Sequence, residues 1–151
     1  MKYELELQEI IQQKAILKLV HVTIKDNLKS ILDHGILPRK TLDKDKIKYF
    51  YNDKKRLDDW LNAVCVSVTK LNPHLIEKFS HVYNLQKKDW FQIYIKPAVL
   101  TKIDAILCET NAASSIYKDF RSAPKIKYLQ TPEAFLRLFN KNTINSRGIF
   151  P

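Results

Sequence analysis

A chain of 151 residues that is 45% apolar is the size of one domain with one real core. Its 26 Lys and Arg against 16 Asp and Glu leave a net charge of +10, which points to polyanions, nucleic acid before anionic membrane, unless the domain is basic without such a partner. Two glycines, Gly35 and Gly148, are too few for a P-loop or a Rossmann site, both of which bring backbone N–H groups to phosphate through clustered glycines.

No run approaches the ~18 apolar residues of a membrane span. Met1 to Glu6 has no apolar signal core, so the expected location is the cytosol and no membrane contact is expected. Cys65 and Cys108 both fall in apolar runs and read as reduced core thiols, and no Cys or His cluster has zinc-ligand spacing.

In chain order, residues 4–14 carry Leu5, Ile10 and Ile11, followed by Ala15, and read as an amphipathic helix. Leu17 to Thr23 alternates as a strand, with His21 and Thr23 on one face. Thr23 and Asp26 form a capping-box-like start to a helix striped by Leu28, Ile31 and Leu32, which Gly35 stops and Pro38 prevents from continuing. Residues 39–61 read as a loop with one or two helical turns.

Ala63 to Thr69 is a predicted strand with Val64, Val66 and Val68 on one face, and Pro73 starts a helix carrying Leu75, Ile76, Phe79 and Val82. Trp90 to Ile95 and Ala105 to Cys108 are further predicted strands, with one helical turn at Pro97 to Leu100 between them. Asn111 caps a short helix to Phe120, and Pro132 opens a last helix with Phe135, Leu136, Leu138 and Phe139. Residues 141–151 show no pattern. Uneven connections favour a single α+β domain over a doubly wound sheet.

Two stretches can carry chemistry. In residues 19–39, His21 and Thr23 face the start of the following helix, whose N–H groups suit an anion or an amide carbonyl. The pair is either a grip for a small polar ring or ribose, or a half-buried histidine beside a threonine cap. In residues 46–56, Lys46, Lys48, Tyr49, Phe50, Tyr51, Lys54, Lys55 and Arg56 mix cations with rings, which suits unpaired bases. The other reading packs Tyr49 to Tyr51 into the core beneath a charged loop. Asn111 is a candidate for a base edge or a plain cap.

The segment HVTIKDNLKSILDHGIL (21–37) resembles the first strand–helix unit of the DarT family, matching it at His21, Thr23, Asp26, Asn27, Leu28, Ile31, Leu32, Gly35 and Leu37. KRLDDWLNAVCVSVTKLN (55–72) is similar to the family's basic segment leading into its second strand, and ILCETNAASS (106–115) to a strand–helix junction in one branch. The resemblance spans about residues 17–120.

It implies an ADP-ribosyltransferase-like split, twisted sheet with flanking helices, lacking its last strands, that binds NAD without a Rossmann motif or a metal. It also implies transfer of ADP-ribose to thymidine or guanosine in single-stranded DNA, by a toxin restrained by a macrodomain-type antitoxin. By position, His21, Val22, Thr23 and Asn27 would hold NAD, and Arg56 would be the catalytic arginine that orients the base. Tyr49, Lys54, Lys55 and Asn111 are the candidate DNA contacts. Arg56 also reads as a surface residue or a partner of Asp58 or Asp59.

The family's late glutamate, in a Gln-Ala-Glu-like segment, has no counterpart among Glu4, Glu6, Glu9, Glu77, Glu109 and Glu133. Weak transfer, or a non-catalytic module binding NAD or single-stranded DNA, is therefore expected. A basic nucleic-acid-binding protein without a nucleotide site is the third reading.

Overall fold

The computed structural model describes residues 3–51, 56–69, 73, 76–77, 80–81, 84–121 and 123–139. These form a small α+β structure around a three-stranded antiparallel sheet of order β2-β1-β3. Strand β1 (Leu19–Ile24) is central, β2 is Ser67–Val68 and β3 is Trp90–Ile95. β-Branched and aromatic residues fill β1 and β3, as suits a half-buried pleated surface. All six residues of β1 pair with β3, from Leu19 opposite Ile95 to Ile24 opposite Trp90. Only Leu19 and Val20 pair with β2.

The expected strand over Ala63 to Thr69 is thus confined to its end. Thr69 takes a left-handed backbone (φ 66°), and the residues before Ser67 leave the ladder. The run Ala105 to Cys108, expected as a strand, belongs to no sheet. Its Leu107 N–H donates instead to the carbonyl of Leu129 at 2.8 Å, while Leu107 and Cys108 are buried in two different apolar clusters.

Helix α1 (Glu4–Gln13) buries Leu7 and Ile10, three residues apart on one face, and leaves Leu5 exposed, so its inward stripe is Leu7, Ile10 and Ile11 rather than one built on Leu5. After β1 the chain makes a 3₁₀ turn over Lys25–Asn27 before α2 (Leu28–His34) begins, and Thr23 remains a buried strand residue instead of capping the helix. The α2 stripe is shallow: Leu28 and Ile31 are half-buried and Leu32 is 85% exposed. Gly35 ends α2 at φ 81°, ψ −177°, a region open to glycine almost alone, and its N–H closes on Ile31 at 2.8 Å.

Within the expected loop, α3 (Arg39–Lys44) provides the helical turns, and the Lys40 N–H bonds the Leu61 carbonyl at 3.1 Å. The helix expected from Pro73 lies largely outside the described residues. A 3₁₀ segment at Pro97–Thr101 fulfils the expected turn, and another occupies Ser115–Arg121. Two short helices follow, α4 (Ala123–Ile126) and α5 (Pro132–Arg137). The Thr131 hydroxyl caps α5 by accepting from Ala134 N–H at 3.2 Å, with Pro132 in its first turn. Residues 141–151 lie outside the described set.

Phe135 on α5, fully buried, joins α1, β1 and the Pro97–Thr101 turn through Leu7, Leu19 and Leu100. A second cluster gathers Trp60, Cys108, Tyr117 and Leu129. The first holds the buried end of β1, so the other end, from His21 onward, stands on a fixed base. Among the described residues no helix is long and apolar enough to cross a membrane.

Candidate functional site

β1 carries His21 and Thr23 on the same face as Leu19, because strand side chains alternate. Leu19 anchors that face in the core and Thr23 is buried at its far end, with half-buried His21 between them. Nδ1 of His21 lies 3.0 Å from the carbonyl oxygen of Cys65. A carbonyl can only accept, so Nδ1 carries the proton and Nε2 is left as an acceptor. Burial holds the imidazole below its ordinary pKa, opposed by this hydrogen bond, so the ring is neutral at pH 7.

The ladder to β2 stops one residue before His21. The Lys18 carbonyl accepts the Thr69 N–H at 3.2 Å, so alternate residues of this strand aim their backbone groups at β2. By that alternation the N–H and C=O of Val22 point the same way, where Val22 has no ladder partner among the described residues; its one partner, Gln92, lies on β3. A donor and an acceptor side by side, next to a histidine acceptor, suit a primary carboxamide.

Arg56 reaches the same place from the segment preceding β2. Its Nε donates to both oxygens of Asp58, at 2.8 and 3.0 Å, and its Nη2 to the Cys65 sulfur at 3.1 Å. Both partners of the ion pair are largely withdrawn from solvent. Asp58 Oδ1 also accepts the Trp60 N–H at 3.0 Å, in a bend that puts Asp59 at φ 60°. Of the alternatives open to Arg56, the structure realises the pairing with Asp58, while Asp59 takes Arg121 at 3.0 Å.

Cys65 is therefore the shared residue: its carbonyl holds His21 and its sulfur touches Arg56. It was expected as a core thiol, and this is corrected: Cys65 is exposed, whereas Cys108 is buried. The protein packed around its sulfur still desolvates the Cys65 thiol and pushes it up, with the positive charge of Arg56 acting in the opposite direction and Asp58 adding to the rise. The sequence held one sign of this, since Val64, Val66 and Val68 occupy one face and leave Cys65 on the other.

Asn27 is committed elsewhere. Its Nδ2 donates to Thr23 Oγ1 at 3.1 Å and to the Phe50 carbonyl at 2.8 Å, and its Oδ1 accepts the Phe50 N–H at 2.7 Å. The side chain thus latches the segment after α3 to the end of β1. In that segment Phe50 and Tyr51 are each 46% exposed and belong to neither apolar cluster, which removes the core-packing alternative for those two rings.

Tyr49, half-buried, donates its hydroxyl to Asp43 at 2.9 Å and tilts against Tyr51 at 5.7 Å between centroids. The Arg39 guanidinium lies 4.9 Å from the Tyr51 ring centre and Lys48 Nζ 5.6 Å from that of Phe50. Sequence reading missed Arg39 and Asp43 here, for which no local signal exists. Lys54 and Lys55 lie outside the described residues.

Asn111 is exposed and bonded within its own turn: its Oδ1 accepts the Ala113 N–H at 2.9 Å and its N–H donates to Thr110 Oγ1 at 2.6 Å. The helix it was expected to cap is the 3₁₀ segment that starts later, at Ser115. Glu109 pairs with Arg137 at 2.9 Å, and Glu133 lies in the first turn of α5. Among the described residues no three His, Cys, Asp or Glu side chains gather as a metal site would require.

Residues 20–145, more than four-fifths of the chain, match a family model described as DarT, ssDNA thymidine ADP-ribosyltransferase. The match runs beyond the segments that carry the sequence resemblance and includes His21, Arg56 and Cys65. No curated protein matches the chain.

Proposed function

The chain belongs to the DarT family of single-stranded-DNA ADP-ribosyltransferases, and from that premise we propose that His21, Val22, Cys65 and Arg56 form its transfer site, with NAD as co-substrate and a DNA base, thymidine first, as acceptor. The observation that carries this reading is the double role of Cys65, whose carbonyl and sulfur bring the strand histidine and the arginine into one group.

The residues present fit NAD. The neutral His21 Nε2 and the outward backbone groups of Val22 match the hydrogen-bonding pattern of a carboxamide. The scarcity of glycine agrees with a nucleotide held without a phosphate-cradling loop. Bound NAD supplies an ADP-ribosyl group on a cleavable nicotinamide bond. The protein's part is to hold the nicotinamide end against β1, exclude water and bring the weakly nucleophilic base close, which accounts for much of the acceleration of a two-substrate reaction. Arg56, oriented by Asp58, aligns the base.

A carboxylate that stabilises the developing positive charge and takes the base proton is the usual complement. Glu109 is occupied by Arg137, and Glu133 sits at a helix start. The 151-residue chain is accordingly expected to transfer weakly. The Glu109–Arg137 pairing also favours the second reading, a module that holds NAD or single-stranded DNA without catalysis. In the family reading the protein is the toxin of a pair, opposed by a macrodomain-type antitoxin.

The test is mass spectrometry of a mixed-sequence single-stranded oligonucleotide after incubation with NAD, beside a thermal-shift measurement with NAD alone. Weak adduct formation with a clear thermal shift is expected. Robust adduct would show that a resident carboxylate does the work, and no shift with NAD would remove the nucleotide site.

A further inference from the structure

Eighteen residues, 39–56, contain eight Lys and Arg against three Asp, which is half of the net charge of the whole chain. The same segment presents its aromatic rings outward. Phe50 and Tyr51 leave nearly half of their surface in water, a cost that packing does not recover. Each has a cation at its ring, Lys48 for Phe50 and Arg39 for Tyr51.

The backbone that carries the rings is also held in place. The Phe50 backbone is clamped on both sides by the Asn27 amide, Tyr49 is tied to Asp43, and Tyr49 buttresses Tyr51. Exposed, cation-flanked rings on a clamped backbone are what a stacking site requires, because less ordering cost then remains to be met on binding.

We infer that Phe50 and Tyr51 form a ledge on which a base of single-stranded DNA stacks, a neighbour of the modified base rather than the modified base itself. The inference rests on the transfer-site reading for its placement. Through Asn27 the ledge is joined by two hydrogen bonds to Thr23, at the end of the strand that carries His21. The target base must meet Arg56, while the ledge lies on the α3 side of the latch. The rings supply π-faces and no base-edge code, so the ledge tolerates any base.

The experiment uses the full chain and a fluorescein-labelled 15-nucleotide oligo-dT, followed by anisotropy, with a strand of the same length built from abasic sites as the second probe. Wild type is expected to bind oligo-dT more tightly than the abasic strand. Phe50→Ala with Tyr51→Ala is expected to weaken oligo-dT binding about 5- to 150-fold, the range for one to three kcal/mol of stacking, and to leave the abasic strand unchanged. Tyr51→Trp, which keeps a π-face, should bind as wild type does, and the exposed positions should leave the thermal midpoint of every variant near that of wild type.

Equal wild-type affinity for the two strands, failure of wild type to bind oligo-dT, or unchanged binding by the double variant would each overturn the ledge. The NAD thermal shift, read on the same proteins, separates this from the transfer site. If the double variant loses the NAD shift while oligo-dT binding persists, the rings belong to NAD and the inference is wrong. If the shift is absent in wild type but the oligo-dT result holds, the ledge stands and the transfer-site reading fails.

Discussion

Nδ1 of His21 donates to the carbonyl of Cys65 at 3.0 Å, across 44 positions of sequence. This contact fixes the tautomer of the imidazole and takes up the carbonyl at the point where the β1–β2 ladder ends. Burial makes the neutral form of His21 the native one, and the contact ties that form to the residue whose sulfur meets Arg56.

A pH dependence follows. Burial lowers the folded pKa of His21 below the unfolded value of about 6.5. As pH falls, the unfolded chain takes up this proton first, so the contribution is complete above about pH 6.5 and is lost as pH drops through the folded value. Thermal midpoints measured from about pH 7.5 to 5 should fall more steeply for wild type than for His21→Gln. Parallel curves would mean that the ring is not buried neutral. The NAD thermal shift should weaken over the same window.

Arg56 and Asp58 form a largely buried pair, so removing one member strands the other. Arg56→Ala should cost about 3 kcal/mol in urea unfolding, at the lower end for a broken buried pair because Asp58 keeps the Trp60 N–H. Adding Asp58→Asn should recover more than half of that loss without restoring base modification. Recovery of both stability and activity in the double variant would reduce Arg56 to a structural residue.

The two thiols should differ sharply toward iodoacetamide. Cys65 is exposed, whereas Cys108 is buried and its thiol is pushed up to about 12 by that burial. Peptide mapping of the native protein at about pH 8 should find Cys65 labelled, slowly because its own thiol is raised, and Cys108 labelled only after unfolding. Labelling displaces the Arg56 contact and should diminish the NAD thermal shift. Equal labelling of both cysteines in the native state would contradict the burial of Cys108.

Gly35 tests the backbone alone. An added Cβ there meets nothing within 4 Å, but φ is +81°. Gly35→Ala should therefore destabilise by about 1–3 kcal/mol through strain. His34→Ala, the preceding residue at the end of α2, serves as a control and should stay within about 0.5 kcal/mol. Equal unfolding midpoints for the two variants would mean that the turn relaxes to a conformation open to alanine.

Local pattern determined a good part of this protein. The run of β-branched residues around His21 marks β1, the aromatic and β-branched run Trp90–Ile95 delimits β3, Gly35 marks the end of α2, and Pro132 opens α5. The block from His21 to Leu37 carries the family resemblance that the wider match bears out. These signals are legible because backbone propensity, side-chain period and capping act over a few residues. Only the tertiary structure decided the rest. Whether Ala105 to Cys108 joins a sheet depends on the Leu129 carbonyl that takes the Leu107 N–H. Whether Asn27 faces a ligand or the Phe50 backbone, and whether Cys65 is core or junction, depends on which distant segment arrives beside it. A polar side chain is assigned by the partner that packing delivers, and that partner lies 23 residues away for Asn27 and 44 for His21, beyond the reach of any local pattern.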